Sequence, residues 1–351
     1  MRLTKPEAAG VLNISGMLLL LLLGPASAGV LAAQSLDIPS SRWGVSFGNS
    51  KTFSGLRFNF RDRRVERITG VNLTLWMPSK DDKEAVVTGL SLGLAPWGGR
   101  LRGIQLGILG PGADAGMTGL SLGCLGVGAG DDLVGIAIGG LGVGAGENVK
   151  GIALGGLGAG AGNNLTGIAV GGLGVGAGEN VTGICVGGLG AGAGGTFKGV
   201  VIGGLGAGAG KDLVGLAVGG LGVGCGENLT GLAIGGLGAG AGQRLTGLAI
   251  CGLAAGAPEI RGLVVGGIGA GGKDLKGVFV GAAMIRIEKG GRLEGLAVSS
   301  FNHIRGKLNG LSVGIVNYAW TIEKGIQLGV VNIVRDNPRG LRVLPVFNTK
   351  F

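Results

Sequence analysis

The chain has 351 residues, of which 85 are glycine, and it carries a net charge of +10 from 30 basic and 20 acidic side chains. Ordinary chains hold about 7% glycine. Collagen is excluded because there are nine prolines and glycine does not recur at every third position. A flexible linker is excluded because Ile, Leu and Val return at fixed phases.

The first segment, residues 1–28, reads as a signal peptide. Arg2 and Lys5 precede a short apolar run from Met17 to Leu23, and Ala26-Ser27-Ala28 is a small-x-small cleavage site. The mature chain is expected to be exported, to the outer-membrane surface, the periplasm or the extracellular space. No transmembrane helix is expected after the signal peptide. Apolar stretches such as Leu133–Gly146 are half glycine and stop short of the roughly 18 residues a span needs.

Residues 29–102 read as an N-terminal cap with irregular repeats. Lys51, Arg57, Arg61, Arg63, Arg64 and Arg67 outnumber Asp62 and Glu66 there. These charges suit a solvated cap, and Arg61, Arg63 and Arg64 are candidate contacts to an anionic envelope surface. Nucleic acid is not expected, because an exported chain rarely meets it.

Residues 103–261 hold regular glycine-rich units. Gly119, Gly135, Gly151, Gly167, Gly183, Gly199, Gly215, Gly231 and Gly247 lie sixteen residues apart. A fixed period of this kind predicts a stacked array. Within Gly151–Thr166, Ile152 and Leu154 are expected to face inward from one strand. A change of parity across Gly155-Gly156 would then turn Leu157, Ala159 and Ala161 inward from a second, with Leu165 in the corner. Ala153, Gly155, Gly158 and Gly160 would face outward. Stacked at about 4.8 Å, such units make an all-β fold, a parallel β-solenoid of about 16-residue coils. The turn residues Asp131, Glu147, Asn163 and Glu179, with Asp132, Asn148, Asn164 and Asn180 beside them, predict a polar ridge.

Residues 262–351 form irregular C-terminal repeats and a cap, which brings the expected total to nineteen units counted from Gly55 to Gly340. Arg335-Asp336-Asn337-Pro338-Arg339 suits a closing cap, since Pro338 cannot donate to a further strand. Phe301, Tyr318 and Trp320 in these units are candidate contact residues, weighed against a role as filling for the cap.

Motifs that elsewhere carry chemistry have plainer readings here. Gly158, Gly160 and Gly162 echo a dinucleotide loop, yet the text recurs in nearly every unit and no helix follows, so no cofactor is expected. Cys124, Cys185, Cys225 and Cys251 fall at four phases and show no metal-ligand spacing; they read as small fillers. Asp131, Asp132 and Glu147 read as a solvated ridge, because hard cations want six or more oxygens. His303 is the single histidine and has no partner for catalysis in its neighbourhood of sequence.

Three outer units carry a recognisable text: Gly325-Ile-Gln-Leu-Gly-Val-Val-Asn332, Gly310-Leu-Ser-Val-Gly-Ile-Val-Asn317 and Gly103-Ile-Gln-Leu-Gly-Ile108. With the ending from Asn337 to Phe347, this resembles the bacterial surface-repeat proteins of the leptospiral type. The resemblance covers about Gly295–Phe351 and loosens in the centre, where Ala replaces Gln and Gly replaces Asn. It implies export and surface association, and it brings no catalytic residue.

The sequence therefore predicts a non-enzymatic exported repeat protein, a rigid structural or interaction surface at the bacterial cell envelope, with an unknown envelope or surface partner. The competing expectation is an outer-membrane β-barrel or pore with one strand per unit. Against it, the regular units lack the aromatic girdles of barrels: Phe197 is the one aromatic residue between Gly119 and Gly256.

Overall fold

The computed structural model describes residues 35–78 and 84–351; the expected signal peptide lies outside them. The fold is a parallel β-solenoid of about 17 coils of roughly 16 residues. A regular coil has two strands, such as Leu165–Gly171 and Gly174–Ala177. Each strand pairs in parallel and in register with its copy one coil on. Ile168 lies against Ile184 and Ala177 against Ala193. These pairings run coil to coil, unlike the antiparallel closure of a membrane barrel.

The turns repeat as faithfully as the strands. Leu157 N–H donates to Leu141 C=O at 2.6 Å and Leu173 N–H to Leu157 C=O at 2.7 Å. On the polar ridge, Asn148, Asn164 and Asn180 each donate a side-chain hydrogen bond to the residue one coil back, at 2.8, 3.0 and 3.0 Å. Equal unit length lets one side chain satisfy the next, at about 1 kcal/mol net per bond.

The inward set differs from the sequence expectation. Ala153 is fully buried and Gly155 is buried, whereas Ile152 and Leu154 lie on the outer face. Leu157 is 50% exposed at the turn. Ala159, Ala161 and Leu165 are buried as expected. No parity change occurs at Gly155-Gly156. The cause is the tight bend that ends the first strand: a Cβ on Gly155 would run into the carbonyl oxygen of Gly158, where the second strand begins. Gly is favoured there and small residues, mostly Ala, at the Ala153 phase, and with a side-chain period of two the large aliphatics lie outside.

The core is thus a set of narrow columns. Leu133, Val149, Leu165, Val181, Phe197, Leu213, Leu229 and Leu245 form the widest one, each at most 2% exposed. Burying a side chain of this size stabilises by about 1.5–3 kcal/mol. Alanines from Ala137 to Ala249 and the Ala/Val pairs of the second strand fill the rest.

Both ends are closed by antiparallel strands. Ser35–Pro39 covers Trp43–Gly48, and Val343–Asn348 lies on the segment Gln327–Ile333. Pro338 leads into a short 3-10 turn, Arg339–Leu341, so Gly340 starts no coil. At the other end Gly44 pairs with Gly55 and adds a unit the sequence count omitted.

The glycine that opens each unit is held at φ near +120°, for example +125° at Gly167, where a Cβ would strike the carbonyl oxygen of Gly151. Gly167→Ala should lower stability by about 1–3 kcal/mol from the backbone alone. Gly128→Ala, whose Cβ would meet open space, should stay within about 0.5 kcal/mol. Thermal unfolding of the two variants checks the contrast; equal melting points would refute it.

Candidate interaction surface

The third residue of every unit points into the coil, and at the ends this column is polar. Ser46, Arg57, Asn72, Ser91, Gln105 and Ser121 follow one another in register and are all buried. Arg57 is fully buried, and its Nη1 donates to Asp62 Oδ1 at 2.6 Å and to Asn72 Oδ1 at 2.8 Å. Asp62 also accepts from Asn59 Nδ2 at 2.7 Å and Thr74 Oγ1 at 3.0 Å. A charge taken out of water needs such partners, and of the guanidinium nitrogens only the buried Nε is left without one. The cluster is enclosed and holds the loop that follows Arg61.

Of the three basic candidates, Arg61 and Arg63 are half-buried beside this cluster and Arg64 is exposed with φ +51°. Arg63 is tied by its main chain: its N–H donates to Asn49 Oδ1 at 3.0 Å and its C=O accepts from Asn49 Nδ2 at 2.7 Å. The loop is thus positioned by the Arg57–Asp62 pair, which the sequence reading passed over as part of a charged cap.

The C-terminal interior is an asparagine ladder. Asn302 Nδ2 donates to Asn317 Oδ1 and Asn317 Nδ2 to Asn332 Oδ1, both at 2.8 Å. Asn348 of the closing strand donates to Asn332 C=O at 3.1 Å. The repeat text Gly-Ile-Gln-Leu-Gly-Val-Val-Asn thereby acquires a physical meaning. Gly325 supplies the bend, Gln327 and Asn332 point inward, and Ile326 and Leu328 point outward.

The aromatic candidates come together in part. In the last coils, Phe301 and His303 stack at 5.2 Å, and His303 meets Tyr318 edge-on at 5.2 Å. Arg335 lies 4.4 Å over the ring of Trp320, which is 43% exposed. These side chains occupy the outer face of the second strand, where the regular units show only glycine such as Gly240. Burial, then the charges of Arg305 and Arg286, push the His303 imidazole below its ordinary value.

The cysteines are all free. Cys185 replaces an inward Ala, and burial pushes its thiol up to about 12. Cys124 is exposed beside the aliphatic outer face.

That outer face is the largest feature the sequence reading missed. The second, fourth and seventh residues of the units form three aliphatic columns, as in Ile136, Ile138 and Leu141, then Ile168, Val170 and Leu173. They stay partly in water, at 39% for Ile168 and 50% for Leu173. The columns run from Val45 and Phe47 in the first coils to Ile326 and Leu328 in the last. Between the fourth and sixth residues lies a trough. Near the N-terminal end it is an open groove of about 740 Å³ between Leu92, Leu106 and Leu122 on one side and Leu94 and Ile108 on the other. Near the C-terminal end it is a shallow, open depression of about 800 Å³, flanked by Val313 and Leu328 against Ile315 and Val330.

No family model, curated protein or solved structure matches the chain. Among the described residues, no helix is long and apolar enough to cross a membrane.

Asp62→Ala leaves the Arg57 guanidinium buried without its counter-charge, so the first coils should lose about 3–5 kcal/mol. Because contacts run between neighbours, hydrogen exchange should quicken from Trp43 to Leu92 and stay unchanged near Gly167. Uniform acceleration along the stack would show that the loss is not local.

Thiol reactivity should follow burial. Iodoacetamide is expected to modify Cys124 in the native protein and to reach Cys185 only after denaturation. Mass spectrometry of the alkylated peptides reads both, and native labelling of Cys185 would contradict its place in the core.

Proposed function

We propose that this protein is a non-enzymatic, exported scaffold that presents a rigid interaction surface at the bacterial cell envelope. The observation that carries this reading is the unbroken aliphatic outer face. Soluble monomers rarely expose contiguous apolar patches above a few hundred Å². About 17 coils at about 4.8 Å, with columns spread over roughly 15 Å, give a face on the order of 1,000 Å². Among the described residues, no second layer covers it.

Further support comes from the ends and the sequence. The terminal strands block end-to-end growth, so the array has a set length rather than the habit of a filament. The export leader read in residues 1–28 and the likeness of Gly310–Asn332 to leptospiral surface repeats both suit the envelope. The polar clusters at either end are engaged in holding coils and loops, which favours scaffold over catalyst.

The test is cell fractionation of the full chain expressed in a bacterial host. The wild-type protein should sediment with envelopes. A variant with Leu157→Gln, Leu173→Gln and Leu189→Gln, which changes only half-exposed side chains, should move at least tenfold toward the soluble fraction while its circular dichroism stays unchanged. Wild-type protein that is fully soluble in the cytosol would defeat the reading.

A further inference from the structure

We infer that the aliphatic face docks onto an anionic lipid surface, lying in the headgroup layer with its trough filled by acyl chains; this rests on the envelope reading above and names what the face meets. Three observations converge on a lipid occupant.

First, the charge at the border of the face is segregated. The residue before each bend glycine points outward beside the aliphatic columns, and in this column stand Arg102, Lys150, Lys198, Arg261, Lys276 and Lys324, all exposed, against the single acid Glu294. Arg261 and Lys276 are paired with Glu259 and Glu294. The turn ridge, one step further from the face, carries the acids Asp131, Asp132, Glu147, Glu179, Asp212 and Glu227 against two basic residues, Lys211 and Arg244. A basic border beside an apolar floor matches phosphate headgroups above acyl chains. Lysine stems can lie along the apolar surface while the ammonium groups reach the headgroups.

Second, the face is not flat. Its trough leaves about 740 and 800 Å³ open at the two ends. A rigid second copy of the same face would bridge these hollows and leave them empty, and protein interfaces with such voids forfeit contact energy. A fluid acyl chain fills a groove of any contour. The walls are mainly aliphatic, with Cys124 at one end and Ser299 and Ser300 at the other, and the floor of the N-terminal groove is glycine at Gly93, Gly107 and Gly123, with no side chain to obstruct it.

Third, the geometry has the depth a leaflet requires. The apolar columns stand on one side of a thin coil, with the ridge on another. Burying only that side sinks about 5–10 Å into the headgroup and acyl boundary and leaves the ridge in water. No helix or strand needs to cross the bilayer.

The experiment uses the full mature chain, with an environment-sensitive fluorophore on Cys124, the exposed thiol that lines the trough. Phosphatidylglycerol vesicles and phosphatidylcholine vesicles are compared, with flotation as a second readout and sedimentation equilibrium giving the mass before lipid is added. The expected result is a blue shift and co-flotation with phosphatidylglycerol. Each of Lys150→Gln and Lys198→Gln should weaken binding about fivefold, the equivalent of about 1 kcal/mol per basic group near an anionic surface. The Leu157, Leu173 and Leu189 to Gln variant should abolish the blue shift while its circular dichroism stays native.

A monomer that ignores both vesicle types would overturn the inference. So would a stable dimer in which the label is already shielded before lipid is added, which would assign the face to a second copy. In either case envelope retention in the fractionation test would leave the scaffold reading standing, whereas loss of both would remove the two together. Equal binding to the two lipids, insensitive to both lysine changes, would overturn the anionic part and show apolar insertion alone.

Discussion

The structure depends on how closely the two strands of each coil approach one another. Gly155 meets Gly158 across a bend that will not admit a Cβ. Everything else follows from that bend. The interior takes mostly Gly and Ala, and the larger Leu165 column fits only at the wider corner. A strand that must put Ala153 and Gly155 inside has to put Ile152 and Leu154 outside. The coil gains cohesion from rung-to-rung hydrogen bonds and from columns of identical residues more than from a thick core. Sixteen-residue regularity is the condition for that gain, since a slip of one residue would reverse every side chain.

The ends relax the constraint. Where unit lengths vary, the interior admits Arg57, Gln105, Asn302 and Asn317, each provided with hydrogen-bond partners. Such polar interiors are costly to misalign, because an unpartnered buried amide or charge loses one to several kcal/mol. They therefore fix register where the repeat text no longer does. The antiparallel strands Ser35–Pro39 and Val343–Asn348 then occupy the last open edges, so that specific polar pairing and edge protection occur together at the two termini.

Much of this was legible in the chain. The period, the parallel stack, the polar ridge and the capped, irregular ends all follow from the spacing of glycine and Asn/Asp. The inward set of the first strand did not, because the reading equated apolar with buried. Apolar side chains outside are ordinary; the informative sign was that the Ala153 phase is Ala in most regular units, with Cys185 and Val201 the exceptions, and the Gly155 phase is Gly in all but Cys251. The polar third residues, from Ser46 through Ser121, could have been found by aligning the irregular units on their bend glycines. The Arg57–Asp62 pair was harder to see, since its partners come from an irregular loop with no counterpart in the regular array. Phe301 and Tyr318, singled out in the sequence, lie in the last coils. Their meeting through His303 rests on the bulged register of the last coils, which aligns His303 with Tyr318 and Asn302 with Asn317.

Thinness also ties the size of the face to the length of the array. A globular domain that grows can hide new aliphatic residues in a deeper core, but this fold adds them only on the outside. Each further unit contributes the same increment twice, once to the stack through Leu165-type burial and once to the exposed columns through residues like Ile168, Val170 and Leu173. Stability and surface therefore rise together with unit number. Repetition without drift in the central text is then what a long, even contact surface requires, and the widest interior column holds Phe197 without a shift of register. The near-identity of the units from Gly119 to Gly256 is in this sense a property of the outer face as much as of the core.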